Sequence, residues 1–215
     1  MQEKGPSGDT ISEWTPSGAL LSFCAVAGFV GIVAMIAGNA VASVIVPGHD
    51  WVADTISALA VGKYELLQDI SLYAFAAGWL GAALGTAHYH IDGRRWTLGV
   101  IGLALIALCV VIIAARNEYG DGDNEGVEVH IYIVYVLAAL FFGVTLAMAK
   151  GFRAHARWLS HFSIGTAVAW LVAAPIFLML PTGYDGAWER VLLLITVAWL
   201  GSVSLMLWQA ARRLG

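Results

Sequence analysis

Six long apolar stretches, separated by short polar segments, run through the 215 residues of this chain. Crossing the hydrocarbon core of a bilayer takes about 20 apolar residues in a helix. A backbone surrounded by lipid has to satisfy its own hydrogen bonds, which only helices and closed barrels do. The pattern therefore predicts an all-α fold, an integral membrane bundle of six transmembrane helices over roughly residues 18–46, 70–88, 96–115, 129–149, 159–180 and 187–210. A polar tail over residues 1–17 precedes the bundle (18–210), and a basic end over 211–215 follows it. Only 12% of the residues are charged and 60% are hydrophobic, whereas soluble domains are about one-quarter charged.

The polar N-terminus lacks the basic start of a signal peptide, and the apolar run after it is too long for a signal core, so it reads as a retained first span. Cys24 and Cys109 each lie inside an apolar stretch and form no CxxC pair, which argues against a disulfide framework or a thiolate metal site. A net charge of −4 carries no nucleic-acid signal. The first stretch is overlong and contains Gly38-Asn39, which predicts a tilt or an early end with a bent segment. Pro175 predicts a kink in the fifth. Gly78, Gly81 and Gly85 include a GxxxG pattern that permits close helix contact. Trp79, Trp170 and Trp199 fall mid-span, where they either pack between helices or line a ligand cleft.

Lysine and arginine bias in short loops sets orientation. Lys4, Arg94, Arg95, Lys150, Arg153, Arg157, Arg212 and Arg213 share one side, against Lys63, Arg116 and Arg190 on the other. Both termini are therefore expected in the cytoplasm of a cell (inner) membrane. The acids invert the pattern: eleven of the fifteen, from Asp50 to Glu189, fall outside. That gathers the acidic chemistry on one face.

The first outer loop reads PGHDWVADTISALAVGKYELLQD over residues 47–69. Trp51, Ile56, Leu59, Ala60, Tyr64 and Leu67 make the apolar stripe of a short interfacial helix. Asp54 is placed to cap it, with Ser57 three residues later.

The runs GHD and ISALA in this loop, GYDGAWERVLLLITVAW over residues 183–199, and His130 at the start of the fourth span together resemble the DUF-998 family of uncharacterised six-span membrane proteins. The resemblance covers about residues 18 to 213 and implies the same six-span fold. It carries the family's Gln/Glu-Arg pair onto Glu189 and Arg190. Ala60 stands where the family has glycine, and RNEYGDGDNEGVEVH over 116–130 replaces a brief Phe-Pro-x-Asp turn.

In that replacement Asp121, Asp123 and Glu125 alternate before Gly126, like the first half of a calcium loop. Tyr132 falls where the bidentate glutamate belongs, so a solvated acidic turn is the competing reading. Arg116, Glu128, His130, Glu189 and Arg190 sit at outer span ends, where a charge must reach water or pair. Two arrangements follow. Arg116, Glu128, Asp185 and Arg190 form a structural ion-pair cluster in which Arg190 staples the loops through Asp54, Glu128 or Asp185. Alternatively, Asp54, Ser57, His130 and Glu189 form a site for lipid headgroups.

On the cytoplasmic side, His88 with His161 offers a bis-histidine haem arrangement. His88, His90 and His161 with Asp92 offer a zinc site. No motif reaches the specificity of HExxH or a nucleophile elbow. The expectation is a non-catalytic accessory subunit or lipid-binding scaffold, with membrane lipids and other membrane subunits as partners and bound lipid or calcium as ligand. The alternatives are an enzyme acting on lipid headgroups or acyl chains at the outer leaflet, and a histidine-ligated metal or haem protein.

Overall fold

The computed structural model describes residues 15–91, 93–115, 129–181 and 183–214. Six helices are long and apolar enough to cross a membrane: α1 Gly18–Ile45, α2 Glu65–Tyr89, α3 Arg94–Ala115, α4 Val129–His155, α5 Arg157–Met179 and α6 Asp185–Leu214. Each packs on its sequence neighbours and α6 closes onto α1, so the helices stand in a ring. The chain is a polytopic membrane protein.

Both ends of the described chain lie together: Ser17 caps α1, its Oγ accepting from Leu20 N, and Gly18 lies against Ala211 and Leu214 of α6. The 47–64 loop lies at the opposite, far end. The Ser17 amide donates to His88 Nε2 at 2.7 Å, and Tyr89 OH lies 3.0 Å from His155 Nδ1.

Glycine brings α1 and α2 closest. A Cβ added at Gly31 would lie 2.7 Å from Ala74 O and 3.1 Å from Gly78 Cα. Gly81 lies against Cys24 and Ala27 of α1, and Gly85 against Cys24 and against Leu207 of α6, which is the close contact a small-residue stripe allows. The first helix does not end at Gly38-Asn39. It runs unbroken to Ile45, because Gly38 is where Ser71 of α2 packs against it. Helix α5 also continues through Pro175.

The 47–64 loop contains two short 3₁₀ turns, Ser57–Ala60 and Gly62–Tyr64. Ile56, Leu59 and Ala60 are buried under it, while Trp51 is exposed. Asp54 is not the cap. Thr55 Oγ1 accepts from Ala58 N at 3.2 Å, and Asp54 Oδ2 turns back to accept from Asp50 N at 2.7 Å.

The mid-span tryptophans fill the middle of the ring. Trp79 stacks on Trp199 with centroids 6.0 Å apart, Phe141 stands edge-to-face with both, and Trp170 packs on Phe141 at 4.6 Å. Such pairs hold a core beyond their buried area alone. Trp199 donates its indole N–H to Ser163 Oγ at 2.9 Å and Trp170 to Ala138 O at 3.0 Å.

Candidate functional site

Above this aromatic layer, towards the far end, the ring is not filled. A cavity of about 200 Å³ remains, with residues from all six helices and the 3₁₀ turn in its wall. Trp79, Phe141 and Trp170 lie on its floor side, so two of the mid-span tryptophans both pack and line. The wall is aliphatic and aromatic apart from a few groups, chiefly Ser57, His130 and Glu189. Tyr135 of α4 and Leu178 of α5, both in the wall, are 46% and 58% exposed. They give the cavity an edge on the lipid-facing surface between those helices.

Three of the four residues weighed as a headgroup site thus share one cavity. Ser57 Oγ lies 3.3 Å from His130 Nε2, and Glu189 Oε2 accepts the Ile56 amide at 2.6 Å. His130, on the first turn of α4, is buried. Ser57 is carried by the first 3₁₀ turn and Glu189 by the first turns of α6, so loop, α4 and α6 must all be in place to assemble the group. The fourth residue, Asp54, belongs to the neighbouring cluster around Arg190.

That cluster is built on main-chain oxygens. Arg190 Nη1 donates to Trp51 O at 3.1 Å, to Asp54 O at 3.1 Å and to Gly186 O at 2.8 Å. Between the two loop carbonyls, Ala53 O accepts from Gly186 N at 3.3 Å and Val52 O from Ala187 N at 3.0 Å. Four consecutive loop carbonyls therefore converge on the start of α6, whose first-turn N–H groups have no partner inside the helix. Gly186 is required there, because a Cβ would collide with Asp54 O. The guanidinium also covers the Trp51 ring at 5.1 Å, a cation–π contact, and Nη2 donates to Ser43 Oγ at 3.2 Å. Arg190 thus clasps the loop to α1 and α6, and it meets Asp54 at the carbonyl. Asp185 begins α6 beside this cluster.

His49 completes the clasp. Its Nε2 lies 3.0 Å from Arg190 Nη2 and its Nδ1 lies 3.6 Å from Asp54 Oδ2, with the side chain only 2% exposed. Burial and then the Arg190 charge hold its pKa below the usual imidazole value, with Asp54 and Asp50 pulling the other way. Asp50 Oδ1 accepts the Val52 and Ala53 amides, and these bonds hold its carboxyl below the usual range. Sequence reasoning passed over His49 and Ser43. The GHD run contained the histidine, but nothing local showed that it would meet a guanidinium about 140 residues away.

Arg116, Glu128, Asp121, Asp123 and Glu125, and with them the calcium reading, lie outside the described residues, as does Asp92 of the zinc reading. Among the described residues no three His, Cys, Asp or Glu side chains come together as a metal-binding group. His88 Nε2 accepts the Ser17 amide, and His161 is exposed.

No curated protein and no solved structure matches the chain. A family model does match, over residues 25–206, which takes in all six apolar helices: the chain belongs to DUF998, described as a protein of unknown function.

Proposed function

We propose that this protein binds a single-chain amphiphile, its chain in the cavity and its head beside Ser57, His130 and Glu189. In this reading the far end faces outward and both termini are cytoplasmic, in a cell (inner) membrane. The observation that carries it is the cavity itself, apolar in its wall and polar at one group of side chains, which is how small-molecule sites are built. An apolar cavity of about 150 Å³ stays dry and admits benzene, so about 200 Å³ takes a stretch of one chain and not two. The exposed Tyr135 and Leu178 favour entry from the bilayer.

Native mass spectrometry of the protein extracted gently from its own membrane tests the reading. The expected result is one lipid retained per chain, lost in Ala138→Phe, which fills the cavity. A lipid-free wild type, or the same adduct on both proteins, overturns it. Co-purifying polypeptides would move the weight to an accessory subunit working with other membrane proteins.

One observation favours a catalytic second reading: the 3.3 Å approach of Ser57 Oγ to His130 Nε2 is close to nucleophile–base contact. In that reading Ser57 attacks an ester carbon of the bound lipid while His130 takes the hydroxyl proton and returns it to the leaving alcohol. Water then releases the acyl group. Ester turnover separates the two: the second reading requires it in wild type and its loss in Ser57→Ala, whereas the first expects no turnover in either protein.

A further inference from the structure

We infer that the end of the bundle holding both ends of the described chain binds an anionic phospholipid on its outer surface, at the corner where α3, α4 and α5 stand side by side. In the two loops there, residues 89–95 and 150–158, five cations stand against one acid, Asp92. Arg94, Arg95, Lys150, Arg153 and Arg157 are all exposed, and no described residue at this end is acidic. Packing gathers them. Trp96 of α3 meets Phe152 of α4 edge-to-face with centroids 5.5 Å apart, and a Cβ at Gly151 would run into the same indole. Ala156 alone separates α4 from α5, its amide donating to Phe152 O at 2.8 Å. Packed helix axes lie about 8–10 Å apart, and salt screens charges only beyond about 8 Å. The five therefore repel one another until an anion lies among them.

The surface below the cations makes that anion a lipid. Residues four and seven apart share a helix face. Arg94 thus heads a face with Leu98 and Ile101, Lys150 and Arg153 one with Leu146, and Arg157 one with Ile164 and Val168, each of these apolar side chains between 44% and 58% exposed. Three neighbouring helices each carry a cation above an outward apolar face, the complement of a phosphate above acyl chains. Trp158, beside Arg157 and 49% exposed, suits headgroup level, and guanidinium groups hold phosphate oxygens through paired bonds. Arg212 and Arg213 differ. They lie in the last turn of α6, whose C-terminal carbonyls complement them, whereas Arg94, Arg95 and Arg157 open helices with no acid in the first turn, where the helix dipole adds to their charge.

Native mass spectrometry of the full-length protein in detergent, titrated with phosphatidylglycerol and phosphatidylcholine of matched chains, tests the inference. Phosphatidylglycerol should bind about tenfold or more tightly, a difference of about 1.4 kcal/mol. The triple variant Arg94→Gln, Arg95→Gln, Arg157→Gln should narrow this preference to about threefold or less, and the double variant Arg212→Gln, Arg213→Gln should leave it in place. Should the triple variant not fold, Arg157→Gln alone takes its place and should lower the preference about twofold or more. Equal binding of the two lipids to wild type overturns the inference. So does a preference that both sets of variants reduce alike, which means diffuse charge and no defined corner. Displacement of the lipid by its water-soluble headgroup, glycerophosphoglycerol, at equal concentration overturns it too, since the apolar faces would then contribute nothing.

Discussion

Arg190 Nη2 stands 3.0 Å from His49 Nε2, and since a guanidinium only donates, the histidine has to present a lone pair there. His49 is therefore neutral with its proton on Nδ1, facing Asp54 Oδ2 at 3.6 Å. The clasp joins α1, the loop and α6, and the loop it holds supplies Ile56, Ser57 and Ala60 to the cavity wall. Site assembly and loop docking are thus one event.

The loop should loosen as pH falls. His49 has a folded-state pKa below its unfolded value, because burial and Arg190 disfavour the imidazolium. The neutral form's stabilisation is complete above the ordinary imidazole value of about 6.5 and is lost as pH drops through it toward the depressed folded value. Protonation would aim an N–H at Arg190, while Asp54 and Asp50 limit the cost. Hydrogen-exchange protection over residues 50–60, corrected for the intrinsic pH dependence of amide exchange, should therefore fall between about pH 7.5 and pH 5.5, and His49→Gln should flatten that profile. Asp50 has its depressed carboxyl pKa from backbone bonds, so its contribution is lost only at more acid pH. A wild-type profile that stays flat through this range would show that His49 does not hold the loop.

Arg190→Ala should cost about 2–4 kcal/mol of stability, since it strips a charge-assisted donor from carbonyls that lose water on docking. Arg190→Lys should recover less than half of this, because one ammonium cannot reproduce a planar fork serving Trp51 O, Asp54 O and Gly186 O together with Ser43 and His49. Thermal unfolding in detergent checks both. A lysine variant as stable as wild type would mean that charge, and not fork geometry, holds the loop.

The six spans were legible because the length of an apolar run is a direct physical requirement of the bilayer. His130 and Glu189 were legible as polar residues stranded at span ends, where lipid makes a polar group conspicuous, and Ser57 by its place in the patterned outer loop. The partners of Arg190 were not. Charge type suggested a carboxylate, whereas the path of the backbone brought the carbonyls of Trp51 and Asp54 to the guanidinium, and residue identity does not encode carbonyl direction. The cavity was equally hidden: a gap between Met35, Leu72, Ile106 and Leu193 is a failure of side chains on separate helices to meet. Gly38-Asn39 looked like a place to bend because the Ser71 contact that uses the missing Cβ lies on another helix.

Two glycines give opposite outcomes. Gly31→Ala should destabilise by about 1–3 kcal/mol, because the atoms its Cβ would meet (Ala74 O, Gly78 Cα and Phe75 Cα) are all backbone. Gly165→Ala meets nothing within 4 Å and should be neutral or stabilising by up to about 1 kcal/mol through helix propensity. Melting temperatures of the two variants, compared in one detergent, read the contrast. Equal shifts would mean that the α1–α2 approach is looser than these distances imply.

Gln68 is the last side chain whose chemistry exceeds its packing. It is fully buried, and among the described residues neither its Oε1 nor its Nε2 meets a hydrogen-bonding group. It lies four residues before Leu72 and seven before Phe75, on the α2 face that borders the cavity. A buried amide left so costs about 1–3 kcal/mol, whereas an apolar residue of similar shape carries no such penalty. Gln68→Met should therefore raise the stability of the delipidated protein by about 1–2 kcal/mol. If the amide instead serves the bound head, the same variant should lose the retained lipid. Unfolding of the delipidated protein and native mass spectrometry of Gln68→Met, run side by side, separate a packing liability from a working contact.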